Sequence, residues 1–171
     1  MTTMTLTLRC FAVVLMAAWS HPGHAAPVLN ASGFGPFTIG MPLASANGHL
    51  HTKIVPTPER LRANPVCDYV PVRDFPGVAF VFIDGRLARI DVARRGYRSM
   101  DGVAVGDRQD GAMSRLKDAR RESLDHVPGG FTLVREKGAQ TNALAYQFYG
   151  GSVKRMIAGD KRVIRYAEGC E

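Results

Sequence analysis

The sequence predicts an α+β protein: two copies of a strand–helix–strand–hairpin unit, giving antiparallel sheet with helices packed on one face. Three observations lead there. First, residues 78–92 and 144–158 each set β-branched and aromatic runs on both sides of a two-residue turn, Asp84-Gly85 or Gly150-Gly151. Both dipeptides accept the positive φ values of a type I′ hairpin turn. Second, the two stretches keep one offset. Gly85 and Gly151, Arg89 and Arg155, and Phe82 and Phe148 are each 66 positions apart, as are Gly40 and Gly106, and Leu50 and Leu116. Third, Ala112, Met113, Leu116 and Ala119 recur at helical spacing, with Arg115, Lys117, Asp118 and Arg121 largely off that stripe.

Taken in order, residues 1–25 read as a secretory signal. Arg9 is the one charge before an apolar run from Cys10 to Trp19, and small residues lead to a cleavage site near Ala25. About twenty apolar residues are needed to span a bilayer, so this run is too short to be an anchor, and the chain is not expected to span a membrane. Cleavage removes Arg9 and leaves 21 of the 22 Lys and Arg against 15 Asp and Glu. That basic excess suits an anionic envelope surface or an acidic protein face. Because the cations are spread along the chain, plain solubility explains them more simply.

Residues 26–36 hold Pro27, Gly33, Gly35 and Pro36 and are expected to be a flexible leader. The first unit covers residues 37–98 and the second 99–171, the two forming one compact domain. Phe37-Thr38-Ile39 reads as a short strand. Pro42 suits the first turn of a helix running to Leu50, weakened by Gly48. Pro56, Pro58 and Pro65 make residues 52–65 a loop with one helical turn at Glu59–Arg62. Cys67–Val72 is a strand, followed by the first hairpin and a basic connection over 93–99. In the second unit a helix is expected over 110–124, then a strand at Phe131–Val134, the second hairpin, and a last strand over 162–167.

Pairing across the turns puts Phe82 opposite Leu87 and Phe80 opposite Arg89. In the second hairpin Phe148 meets Val153 and Tyr146 meets Arg155. The face bearing Gln147, Tyr149, Ser152 and Lys154 is the wetter one. The matching face of the first hairpin, with Val81, Ile83, Ala88 and Ile90, is apolar and calls for a cover.

Cys10 leaves with the signal, so Cys67 and Cys170 remain in a chain read as exported. A disulfide between them is expected, tying the C-terminus to the first half. Closing a loop of ~100 residues stabilises by roughly 4–5 kcal/mol in the entropic account, less any native strain. Reactive or metal-binding thiols are the rival reading, but neither cysteine has a C-x-x-C partner or a flanking histidine.

The chemistry of catalysis is hard to find. No serine sits in a G-x-S-x-G elbow, no Walker loop is present, and Gly33-Phe34-Gly35 runs into Pro36 rather than a helix. His49 and His51 flank Leu50 without further ligands nearby, and His126 stands alone, so no metal or other cofactor is expected. Asp84 reads as a turn residue, and Asp68 and Asp91 as strand-end solubilising groups.

Arg94, Arg95 and Arg98 crowd the basic connection beside Arg86 and Arg89. Nucleic acid is a poor partner for an exported chain. Arg89 and Arg155 occupy matching places, each set against an aromatic. That suggests either a repeated ligand contact or an arginine stem lying over a ring, the latter worth about 0.5–1 kcal/mol and preferred here. Exposed aromatics could stack on sugars, with Tyr69, Tyr146 and Tyr149 the better choices and Phe148 better suited to the core. The residues that could hold a ligand are therefore Tyr149, Gln147, Tyr146, Arg155, Arg89, Arg94, Arg95 and Arg98.

The order Phe37-Thr38-Ile39-Gly40-Met41-Pro42, helix, hairpin, then Val103-Ala104-Val105-Gly106-Asp107, helix, hairpin, resembles the tandem-repeat fold of β-lactamase inhibitory protein. It also resembles the single-unit small lipoprotein of the outer-membrane barrel-assembly machinery, although no lipoprotein cysteine is present. Asn64-Pro65-Val66-Cys67-Asp68, the Asp-Gly-Arg hairpin and the terminal Glu168-Gly169-Cys170 look like an uncharacterised group of exported proteobacterial proteins, some labelled lectin. With no nucleophile–base pair to name and a secretory signal in front, the chain is expected to be a non-catalytic, periplasmic or secreted protein that binds another envelope or extracellular protein, inhibitor-like or as an assembly factor. The alternative, which the resemblance to the lectin-labelled group implies, is a carbohydrate-binding, lectin-like protein.

Overall fold

A computed structural model describes residues 26–125, 127–136, 138–166 and 169–170. The signal segment 1–25, His126, Ala167 at the end of the expected last strand, and Glu168 of the terminal motif lie outside the described residues.

The chain is mostly β. The elements are β1 (Val28–Asn30), β2 (Gly33–Phe34), β3 (Phe37–Thr38), α1 (Leu43–Gly48), β4 (Cys67–Pro71), β5 (Val78–Ile83), β6 (Arg86–Val92) and β7 (Arg98–Ser99). Then come α2 (Gln109–Met113), β8 (Arg120–Ser123), β9 (Phe131–Glu136), β10 (Asn142–Tyr149) and β11 (Ser152–Asp160). Short 3₁₀ turns occupy Glu59–Leu61 and Val163–Arg165. A seven-stranded sheet has the order β4-β5-β6-β11-β10-β9-β8, and a four-stranded one the order β3-β2-β1-β7.

The larger sheet is continuous across both hairpins. β6 and β11 pair antiparallel from Arg89 against Gly159 to Val92 against Met156. Around this seam, positions 66 apart share backbone geometry. Asp84 and Gly85 have φ of 50° and 69°, and Gly150 and Gly151 have 56° and 70°, as a type I′ turn requires. Gly40 and Gly106 lie at φ 91° and 90°. Their N–H groups donate to the carbonyls of Leu87 and Val153, at 2.7 and 2.8 Å.

The expected α+β layering does not form. The two α-helices have six and five residues, each tucked against the end of a hairpin, and neither can cover a sheet. Leu43 and Gln109, at the helix starts, donate to the turn carbonyls of Gly85 and Gly151. The inner face of the large sheet is covered instead largely by the small sheet. Leu29, Phe34 and Phe37 meet Phe80, Phe82, Leu87, Ile90, Leu144, Tyr146, Phe148 and Met156 in one core. Residues 26–36, expected to lack structure, supply β1 and β2, because burying Leu29 and Phe34 outweighs the turn-forming composition around them.

The helix expected over 110–124 stops at Met113. Leu116 is still buried, but from a turn, and Arg120–Ser123 becomes the edge strand β8. Pairing with β9 gives Arg121 a seat 3.7 Å above the Phe131 ring and lets Glu122 meet Arg165 at 3.1 Å. Tertiary contacts of this kind override helical spacing. Among the described residues, the strand expected over 162–167 also does not form. Val163–Arg165 turns as 3₁₀ and crosses the outer face of the sheet.

Both hairpins carry a β-bulge on the second strand, where Ala88 is the extra residue facing Val81 and Phe82, and Lys154 the one facing Gln147 and Phe148. The Phe82–Leu87 and Phe148–Val153 pairs form as expected. Beyond the bulge the register slips by one, so Arg89 faces Val81 rather than Phe80, and Arg155 faces Gln147 rather than Tyr146. A one-residue slip moves a side chain to the other face. Both arginines therefore leave the aromatic inner face for the outer one, and no arginine stem covers Phe80 or Tyr146.

Cys67 and Cys170 form a disulfide that links β4 to the C-terminal segment across a sequence separation of 103. Among the described residues no helix is long and apolar enough to cross a membrane.

Candidate functional site

The outer face of the large sheet is where the chemistry gathers. Val81, Cys67 and Val163 make a small apolar cluster there, with Ile83, Ala88, Tyr166 and Cys170 packed on it. Val134, Ala143, Ala145, Ile157 and Ile164 make a second. The strap formed by residues 161–166 and 169–170 thus covers much of this face, including the apolar surface of the first hairpin. Ile90, grouped with that surface in the sequence, sits in the inner core because of the bulge.

Beside the strap lie Arg89 and Asp91, two residues apart on β6 and so on one face. Both are fully buried, at 0% and 1% exposure. Arg89 Nε donates to Asp91 Oδ1 at 2.6 Å and Nη2 donates to Oδ2 at 2.9 Å. Its Nη1 donates to the carbonyls of Val163 at 3.1 Å and Tyr166 at 2.6 Å. A buried ion pair is tolerated when its remaining donors are satisfied, and the strap's carbonyls satisfy them here. Asp91 is therefore no strand-end solubilising group, and Arg89 has no surface to offer a ligand. Gly159, opposite Arg89 on β11, leaves room for this approach; a Cβ there would sit 2.4 Å from the Ala88 carbonyl oxygen.

Arg155 is different. Its Nη1 lies 3.7 Å from Asp91 Oδ2, and its side chain is 33% exposed. Next to this group is Tyr69, 40% exposed on β4, its ring against Gly169. Burial and the Asp91 charge push the Tyr69 hydroxyl's pKa up, against a downward pull from Arg155 and Arg89. It therefore remains a neutral phenol, able to donate. Grooves open on both sides of Tyr69. One, of about 460 Å³, runs between β4 and residues 52–57. The other, of about 390 Å³, is lined by Val72, Pro76, Gly77, Val78, Ala79 and Ala93. Tyr69, Pro71 and Arg73 border both.

Of the residues singled out from sequence, Arg155, Gln147 and Arg89 share the outer face. Gln147 is nearly buried opposite Arg155 and helps to line a small cleft of about 110 Å³ with Thr132, Val134 and Ile164. Tyr149 is exposed at the hairpin end, with the Lys154 ammonium 5.5 Å from its ring centre. Tyr146 lies on the inner face, fully buried, and donates to Asp101 Oδ2 at 2.7 Å; burial drives its pKa strongly upward. It belongs to the core and cannot reach a ligand. Arg94, Arg95 and Arg98 are exposed. The Arg94 stem packs on Gly77, Arg95 lies over Gly106, and Arg98 donates to the Gly102 carbonyl at 2.8 Å. Only Arg94 adjoins a Tyr69 groove.

Three residues of this region were misjudged or passed over in the sequence. Asp68 is buried on β4 and accepts the Thr57 N–H at 2.8 Å rather than serving solubility. Asp74 accepts the N–H groups of His51 and Thr52, at 2.6 and 3.0 Å. Arg73 borders both grooves. The partners of the two aspartates are loop backbone 11 to 23 positions away, which no local pattern reveals. Among the described residues no cluster of three or more His, Cys, Asp or Glu is placed to hold a metal.

No family model matches the chain, and no curated protein or solved structure is detectably similar to it.

Proposed function

We propose that the protein is a non-catalytic exported binding protein that acts on another envelope or extracellular protein, in the manner of an inhibitor or assembly factor. The observation that carries this reading is Tyr69, held half-exposed between two open grooves, with the partly exposed Arg155 near enough for its charge to act on the hydroxyl. Tyrosine and arginine are the residues that dominate binding energy at protein interfaces, and a ring fixed at its base loses little freedom on binding. Prolines 71 and 76 give the surrounding walls a stiff, apolar character. The disulfide suits a chain that works in an oxidising compartment.

The test is affinity capture from envelope extract with the mature, oxidised protein. One stoichiometric partner is expected, retained by Tyr149→Ala and lost with Tyr69→Ala. Capture that is indifferent to Tyr69→Ala would overturn this placement of the site.

A carbohydrate-binding reading is supported by the exposed rings of Tyr69 and Tyr149, since exposed aromatic faces stack on sugars. The Lys154 ammonium near one face of Tyr149 competes for it, which makes this the second reading. Glycan-array binding abolished by Tyr149→Ala, without any protein captured, would reverse the order.

A further inference from the structure

We propose that the groove between β4 and residues 52–57 is a slot for one extended, acidic segment of a protein partner, which joins the sheet as a strand beside β4. The proposal rests on the binding-protein reading above and states what its site accepts.

β4 is the terminal strand of the large sheet. The Val72 N–H donates to the Val78 carbonyl at 2.9 Å, and the Val66 carbonyl accepts from Asp84 at 2.9 Å. In an antiparallel pair the backbone groups of alternate residues point to the same side. Residues 66, 68, 70 and 72 therefore face β5, and Cys67, Tyr69 and Pro71 turn their backbone groups to the open edge. The Cys67 N–H is taken by the Asn64 carbonyl at 3.1 Å, and Pro71 has none. What faces the groove is the N–H and C=O of Tyr69, flanked by the carbonyls of Cys67 and Pro71.

The opposite wall is a bracket. Its near end is held where the Asp74 carboxylate accepts from His51 and Thr52, and its far end where Asp68 accepts from Thr57. Its middle is pinned away from β4. The Ile54 N–H donates to Asn47 Oδ1 at 2.8 Å, and Asn47 Nδ2 returns a bond to the Ile54 carbonyl at 3.0 Å. Among the described residues no backbone hydrogen bond joins 52–57 to β4. The sheet edge is thus fenced at a distance rather than paired, and the space between is the groove of about 460 Å³.

Strand addition takes its affinity from main-chain hydrogen bonds and its selectivity from the side chains that alternate along the slot. The charge of the walls selects the occupant. Among the described residues, Lys53 and Arg73 are the charged ones lining the groove, and no acid lines it. The full chain carries a formal charge of +7. Like charges across a binding surface are penalised, so an acidic segment is favoured over a basic one. Pro71, which lacks an N–H, restricts pairing to a register centred on Tyr69 and protects the edge from indiscriminate association. A glycan has no main chain to pair with Tyr69.

The probe is an acetylated, fluorescein-labelled hexapeptide alternating Glu and Val, compared with its Lys–Val counterpart, on the mature oxidised protein. Fluorescence anisotropy reads affinity, and amide hydrogen exchange reads the Tyr69 N–H. The Glu–Val peptide is expected to bind at least tenfold more tightly than the Lys–Val peptide and to slow exchange at Tyr69. Tyr69→Phe should retain both effects, and Arg73→Glu should abolish the preference for acid. Unchanged Tyr69 exchange at saturating peptide, or equal binding of the two peptides, overturns the slot. If the peptide leaves Tyr69 unprotected while partner capture still depends on Tyr69, the slot fails and the binding reading stands. If the peptide protects Tyr69 while capture ignores Tyr69→Ala, the slot stands and the proposed placement of the partner fails.

Discussion

Arg89 and Arg155 stand at matching places in the two hairpins, 66 residues apart, each directly after the extra residue of a β-bulge on its own strand, Ala88 or Lys154. They lead different lives. Arg89 is sealed, bidentate to Asp91 and capped by two carbonyls of the strap. Arg155 leans on the same carboxylate from 3.7 Å and keeps a third of its side chain in solvent. The difference comes from what lies above them. The strap crosses the first hairpin on its way to Cys67, and the corresponding surface near Arg155 is left open. Recurrence in the sequence fixes backbone place but leaves the environment to the rest of the chain. Position 91 makes the same point: Asp91 serves both arginines, whereas its counterpart in the second hairpin, Ile157, belongs to an apolar cluster.

The largest expected effect separates the two arginines directly. Arg89→Met strands the Asp91 carboxylate and two strap carbonyls in the interior and is expected to cost about 3–5 kcal/mol. Arg155→Met removes a partly exposed, longer-range partner and should cost less than about 1 kcal/mol. Urea unfolding of both variants checks this, and equal losses would erase the distinction.

A smaller effect is expected from the strap's anchor. Cys170→Ser should lower stability by about 2–4 kcal/mol and raise hydrogen exchange over residues 161–166 and the outer-face amides of β6. The exchange rates of β10 should change much less. Uniform acceleration across both hairpins would show that the strap does not single out the first.

Acid tests the rim of the second half. Arg162 holds the Asp160 carboxyl below its ordinary pKa, chiefly by hydrogen bonding, and Arg165 does the same for Glu136. A carboxylate whose folded pKa is depressed adds stability above its unfolded pKa, and that stability fades as pH falls through the folded value. Exposed pairs of this kind are worth little, so a loss below about 1 kcal/mol per pair is expected once pH drops beneath about 4. Glu136→Gln should flatten part of that acid limb in a pH series of unfolding curves. An acid limb unchanged by Glu136→Gln would remove this group from the account.

Much of the skeleton is legible in the residues. Asp84-Gly85 and Gly150-Gly151 announce both turns, Phe82–Leu87 and Phe148–Val153 give the first pair of each ladder, and two cysteines suffice for the disulfide. The bulges are not legible, because nothing in Ala88 or Lys154 marks an extra residue, and that single slip decides which face receives each arginine. The layering is not legible either. Ala112, Met113, Leu116 and Ala119 satisfy a helical stripe as well as a turn followed by an edge strand, and only contact with Phe131 and Arg165 tells them apart. At the proposed site, Tyr69 and Arg155 could be named in advance, but Asp68 and Asp74 could not, since the bracket they hold is distant in sequence.

The strap has one more consequence, and it concerns valence. Two matching hairpins in one sheet would ordinarily offer two matching docking positions, and so a divalent surface able to cross-link partners. Among the described residues, the disulfide that fixes the C-terminal segment falls on the first half, while Ile164 of the same segment packs on the second, so the two halves are covered unequally. The Tyr69 bracket likewise exists once, because Arg135 stands at the matching position in the second half, on β9, where β8 already occupies the neighbouring edge. On the proposed binding reading, the expected assembly is one partner to one chain.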